Sequence, residues 1–93
     1  MIKPTIGRVV WYHPVSSTEA EQPYAAIIAH VWSDTCINLA VFDSNGAAFN
    51  QTSVFLFQGE GEKPSSQYAE WMPYQQGQAA KTEALEKKLS EAV

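Results

Sequence analysis

Three side chains have the right chemistry for acid–base, nucleophilic or metal work near neutral pH: His13, His30 and Cys36. An imidazole titrates in the physiological range, and a thiol beside an imidazole can become a nucleophile. A zinc site needs three or four ligands. These three residues supply that number, but no two of them show ligand spacing, so no metal site is expected. Each histidine also reads as a partly buried strand residue. Cys36 reads as a small apolar strand residue. The carboxylate pairs Glu19/Glu21 and Glu60/Glu62 lie in polar stretches, where solvated carboxylates keep ordinary pKa values and do little chemistry. The sequence has no G-x-S-x-G, no H-E-x-x-H, no P-loop and no G-x-G-x-x-G. Gly59-Glu60-Gly61 is a loop, not a phosphate cradle. The expectation is a protein that is not an enzyme and uses no cofactor.

What remains is an excess of rings. Trp11, Tyr12, Trp32, Phe42, Phe55, Phe57, Tyr68, Trp71 and Tyr74 are more than one small core can hold. Exposed aromatic rings stack on bases at roughly 1–3 kcal/mol per base, and Trp and Tyr anchor protein interfaces. The competing reading is core packing plus ordinary partial exposure. Asp34, Thr35 and Asn38 follow Trp32 closely and are placed to orient a polar ligand. Asp34 has the alternative role of stabilising the turn through its side chain.

These residues need a scaffold, and length bounds it. A chain of 93 residues forms one domain. Its apolar content of 45% is that of a globular protein, not a disordered one. The formal charge of -4 and the single arginine, Arg8, argue against a broad face for duplex nucleic acid. A local phosphate contact at Arg8 or Lys3 remains open. One cysteine allows no internal disulfide. Met1 to Thr5 has no apolar signal-like region, and no apolar run approaches the ~20 residues of a membrane helix. The expected location is the cytosol, with no membrane partner.

The elements follow from periodicity. Ile6 to His13 is a first strand, with Val9, Trp11 and His13 on one face. A polar loop covers Val15 to Gln22. Tyr24 to Trp32 is apolar on both faces, like a central strand. Its period-two reading puts Ala26, Ile28, His30 and Trp32 together. If the first two strands pair, both histidines lie on faces that carry Trp, predicting an aromatic–imidazole cluster at one end of the sheet. Cys36 to Phe42 is the third strand. Asn45-Gly46 marks a hairpin turn, followed by short strands at Ala47 to Asn50 and Thr52 to Gln58. Gly59 to Gln67 is a polar loop. Tyr68 to Tyr74 is a short last strand, which Pro73 confines to an edge. Gln75 to Gln78 is a spacer. Ala79 to Ala92 is helical by propensity, with a narrow Leu85/Leu89/Ala92 stripe. The fold class is therefore mainly β: a small antiparallel barrel of five to six strands, SH3-like or OB-like, over residues 1–74, with a C-terminal α-helix in the tail 75–93.

One resemblance adds to this. Gly7-Arg8-Val9-Val10-x-Tyr12, Ala26-Ile27-Ile28-x-x-Val31-Trp32, Ser33-Asp34-Thr35-Cys36-Ile37-Asn38-Leu39-x-Val41-Phe42, Asn45-Gly46, Thr52-Ser53-Val54 and Glu70-Trp71 follow one another in that order. The pattern resembles a group of small proteins encoded by tailed bacteriophages and prophages, over roughly residues 4 to 74. That group carries no settled activity, so no catalytic residue transfers. A phage origin implies action by binding in the host cytoplasm. The expectation is an accessory protein that sequesters a nucleotide-derived host immune signal. Trp11, Trp32 and Trp71 would stack on the base. Arg8 and His30 would meet phosphate, and Asp34, Thr35 and Asn38 would bond base or ribose edges. A homo-oligomer is expected through the helix or an aromatic face. The alternatives are a protein-binding inhibitor of a host factor and a minor virion or assembly component.

Overall fold

The β-branched and aromatic runs form strands close to the expected spans at Tyr24–Ser33 and Cys36–Phe42, while the other strands differ from the sequence reading in length or number. The computed structural model describes residues 1–15, 22–78 and 81. Its strands are β1 (Val9–His13), β2 (Tyr24–Ser33), β3 (Cys36–Phe42), β4 (Ala48–Phe57) and β5 (Tyr68–Glu70). A short helix, α1, covers residues 73–78. The first strand is shorter than its sequence suggests because Gly7 has a φ of 93°, a turn conformation that glycine adopts without strain.

The five strands close into a barrel in the order β1-β2-β3-β4-β5. The first four form an antiparallel meander. After the loop at residues 58–67, β5 runs antiparallel to β1 and parallel to β4, sealing the barrel. Spatial order follows chain order all the way round, which is a meander and not the Greek key of an OB barrel. Closure leaves no open sheet edge between these strands.

The expected break between a fourth and a fifth strand does not occur. Residues 48–57 form one strand, because the ladder absorbs the irregularity as a bulge. Ile37 faces Val54 and Leu39 faces Gln51, so Thr52 and Ser53 together oppose Asn38. Ser53 takes a φ of 53° there.

The interior is filled by alternate residues, with Val10, Tyr12, Ile28, Ile37, Val41 and Leu56 all essentially inaccessible. Trp71 plugs the barrel at 1% exposure. Its indole N–H donates to Gln58 Oε1 at 3.0 Å. Gln58 is a hub that the sequence does not single out. Its Oε1 also accepts from the Ile2 amide at 3.2 Å. Its Nε2 donates to the carbonyls of Ile2 (2.9 Å) and Asp34 (2.8 Å). One side chain thus joins the N-terminal segment, the β2–β3 turn and the core tryptophan.

Pro73 does not lie on an edge strand. It begins α1, a position its fixed φ favours, so the expected spacer at Gln75–Gln78 is helical. Gln75 reaches back to accept the Met72 amide at 2.9 Å and donates to the Val9 carbonyl at 2.7 Å. The helix start is thereby pinned to β1 where β5 has ended. Apart from Lys81, the expected helix over Ala79 to Ala92 lies outside the described residues, and so does most of the Val15 to Gln22 loop.

Candidate functional site

Three of the expected site residues meet on the outside of the barrel, and bulges bring them there. In β2, Ile28 pairs with Leu39 and His30 with Asn38, leaving Ala29 as an extra residue. A second irregularity leaves Trp32 between the Val31–Ile37 and Ser33–Cys36 pairs. The first bulge changes the phase of the strand. Ala26 and Ile28 point inward, but Val31 then takes the core-facing role, packed against the cluster. His30 and Trp32 are exposed. A strict period of two would have kept His30 and Trp32 on the buried face with Ile28. Bulges commonly re-aim side chains in this way beside functional sites.

Trp32 is 62% exposed, yet two contacts fix its ring. Its Nε1 donates to Asn38 Oδ1 at 3.0 Å. The His30 imidazole packs edge-to-face against it, with centroids 4.4 Å apart and planes at 71°. Asn38 Oδ1 also accepts the Ser53 amide at 2.8 Å, the N–H of the left-handed bulge residue in β4. Asn38 therefore holds the β4 bulge and the Trp32 indole with one oxygen. Beyond it, Phe55 lies opposite Cys36 and is 42% exposed. Together these residues make an exposed indole oriented by Asn38 and an imidazole packed against it, with Phe55 exposed on β4 across from Cys36.

The other expected site residues go elsewhere. Trp71 is a core residue, so it has no free face for stacking; its position after β5 carries it into the barrel mouth. Arg8 sets its guanidinium over the Trp71 ring, 6.0 Å from the centroid, a cation–π contact. Trp11 is half-buried on the outer face between Ala25 and Glu70, away from the Trp32 bulge. Thr35 and Asp34 occupy the β2–β3 turn next to Trp32. The Thr35 amide donates to Ser33 Oγ at 3.3 Å, and its carbonyl accepts from Leu56 N at 2.9 Å. Asp34 secures the turn through its backbone carbonyl, bonded to Gln58, rather than through its carboxylate.

The two histidines do not share a cluster. Antiparallel pairing of β1 and β2 puts His13 beyond the Tyr12–Tyr24 pair, at the end opposite His30. His13 stacks on Tyr68, with centroids 4.6 Å apart and planes at 12°. Its Nε2 lies 3.2 Å from Glu70 Oε2, and Lys63 Nζ lies 3.3 Å from the same oxygen. Neither His13 Nε2 nor Glu70 Oε2 completes an aligned hydrogen bond, so these contacts are electrostatic. Burial pushes the His13 pKa down, and Lys63 adds to that. Glu70 opposes it, but the burial effect is larger. Nothing in the sequence pattern marks this trio, because Glu70 and Lys63 reach His13 only through closure of β5 on β1. Among the described residues, no group of three His, Cys, Asp or Glu side chains is placed to hold a metal ion. No described helix is long and apolar enough to cross a membrane.

No family model, no curated protein and no solved structure matches the chain.

Proposed function

We propose that this protein acts by binding, with Trp32 as a stacking platform for a planar, nucleotide-type ligand. The observation that carries this reading is the exposed but immobilised indole, fixed by Asn38 and His30. A large apolar ring held in one orientation loses little entropy when a second ring stacks on it. His30 stands beside the ring to meet a phosphate or ribose oxygen. The Asn38 side-chain nitrogen has no protein acceptor among the described residues, which leaves its N–H groups for a base or ribose edge. In this reading the footprint shrinks to Trp32, His30, Asn38 and the adjacent turn residues Asp34 and Thr35. Trp71 and Arg8 serve the barrel. The biological role that fits is the one expected from the phage resemblance, an accessory protein that captures a host signalling nucleotide without turning it over.

A second reading is a host-protein inhibitor, and Phe55 favours it. Trp32 and Phe55 together present more apolar surface than one base covers, and such pairs anchor protein contacts. Titration of purified protein with mono-, di- and cyclic nucleotides, followed by tryptophan fluorescence, tests the first reading. A ligand that quenches the wild type and not Trp32→Ala supports it. Equal quenching of both proteins would assign the site elsewhere. Quenching by none, with a host protein retained on wild type but not on Trp32→Ala, would replace it with the second.

A further inference from the structure

The polar side chains around Trp32 differ in what hydrogen bonds they have left to give. Asn38 Oδ1 accepts from Trp32 Nε1 at 3.0 Å and from the Ser53 amide at 2.8 Å. Both neighbours are N–H donors, so the amide oxygen must be the atom that faces them. An amide oxygen has two lone pairs, and these two bonds use both. The side-chain nitrogen finds no protein acceptor among the described residues. Toward a ligand, Asn38 is therefore a donor only.

Asp34 is the converse. Its backbone carbonyl is taken by Gln58 at 2.8 Å, but no described residue donates to its carboxylate, and the residue is exposed. An ionised carboxylate accepts and does not donate. The hairpin sets the two groups on different sides of the indole. Asn38 pairs with His30, before Trp32, and Asp34 lies in the β2–β3 turn beyond it. A ring stacked on Trp32 thus meets a donor on one side and an acceptor on the other.

That pattern separates the purines. Guanine carries the acceptors O6 and N7 next to the donors N1–H and N2–H. Adenine reverses the order, because its 6-amino group donates and its N1 accepts. In the same pose, adenine would turn N–H toward N–H and a lone pair toward a carboxylate, leaving polar groups unpaired. Strands β2, β3 and β4 hold no Lys or Arg, so they offer phosphate no fixed cation and the base carries more of the recognition. Resting on the reading that Trp32 stacks a nucleobase, we infer that the platform selects a 6-oxopurine of the guanine type. Asn38 donates to O6 or N7, and Asp34 accepts from N1–H and N2–H. Asn38 then sets specificity as well as anchoring the indole, and His30 is left to ribose and phosphate.

Tryptophan fluorescence titration of the full chain with guanosine, inosine and adenosine 5′-monophosphates tests this. The three share ribose and phosphate, so differences between them report the base. Guanosine monophosphate should bind tightest and inosine monophosphate, which lacks the 2-amino group, more weakly. Adenosine monophosphate should be weakest, by roughly tenfold or more against guanosine monophosphate. Asn38→Asp keeps an oxygen for Trp32 and Ser53 and replaces the donating nitrogen with a second acceptor. Its added charge acts on all three phosphates alike, so the ratio of affinities is the readout. The guanosine-over-adenosine ratio should vanish in this variant while far-UV circular dichroism stays that of wild type. Asp34→Asn leaves the backbone carbonyl to Gln58 and should shrink the guanosine-over-inosine ratio toward unity. Adenosine monophosphate bound as tightly as guanosine monophosphate overturns guanine selection, as does a preference that survives both substitutions. In either case, loss of quenching in Trp32→Ala keeps the stacking platform itself. Quenching of wild type by none of the three also overturns guanine selection, and the wider nucleotide panel then decides the platform alone.

Discussion

Replacing Gln58 with leucine removes four hydrogen bonds at a single position and keeps most of the volume. The cost is set by what each former partner can find instead. Trp71 is 1% exposed, so its indole N–H is left without water or protein. An orphaned buried donor costs about 1–3 kcal/mol. The Ile2 amide and carbonyl and the Asp34 carbonyl lie nearer the surface. Water replaces their bonds at a net loss of roughly 0.5–1 kcal/mol in total, below the usual range for three protein bonds. The sum is about 2–4 kcal/mol. For a domain of this size each 1 kcal/mol lowers Tm by roughly 4–8 °C, so a fall of about 10–30 °C is expected in thermal unfolding followed by far-UV circular dichroism. Gln78→Leu, on an exposed helical position, is the control and should shift Tm by no more than a few degrees. Gln58→Glu sharpens the argument. It keeps both acceptors and loses both donors, so a carboxylate would face the Ile2 and Asp34 carbonyls. Its folded pKa would be raised, and the variant should recover stability as pH falls. A Gln58→Leu protein that melts within a few degrees of wild type would refute the hub.

Three further outcomes follow from the geometry. Asn38→Ala removes two solvent-exposed hydrogen bonds, whose donors water can take over, so it should cost only about 0.5–1.5 kcal/mol, and it should broaden the Trp32 indole N–H resonance in NMR spectra. Ser53→Gly relieves a left-handed φ of 53° and should stabilise by up to about 1 kcal/mol, read from denaturant midpoints at unchanged m-value. The lowered His13 pKa means that the folded state binds its proton later than the unfolded chain does. Stability from this group is full above the unfolded histidine value near 6.5 and falls as pH drops below it. Urea midpoints between pH 7 and 5 should therefore decline in wild type, and His13→Phe should flatten that decline.

Alternation and turn chemistry made the barrel legible. The span Cys36–Phe42 and the Asn45-Gly46 turn both follow from residue type and spacing. The site was legible only in part, for a definite physical reason. Reading β2 at period two assigns His30 and Trp32 to the face of Ile28, whereas the extra residue Ala29 carries them to the opposite one. A bulge has no local sequence signature here; it is fixed by how β2, β3 and β4 must register around a closed barrel. Trp71 misleads in the opposite direction. Beside polar Glu70 and the helix-starting Pro73 it looks like a surface ring, but closure of β5 takes it inside. The His13–Glu70–Lys63 contact and the Gln58 hub join residues up to 57 positions apart, which no short-range pattern reports.

The central claim is that the fixed, exposed Trp32 captures a small planar ligand and releases it unchanged. Its most direct test is depletion of a panel of linear and cyclic signalling nucleotides by wild type and Trp32→Ala, with each supernatant assayed before and after heat denaturation of the protein. The account predicts one compound removed by wild type, returned intact on heating, and left in solution by Trp32→Ala with its fold unchanged. Depletion by neither protein, or equal depletion by both, would contradict it.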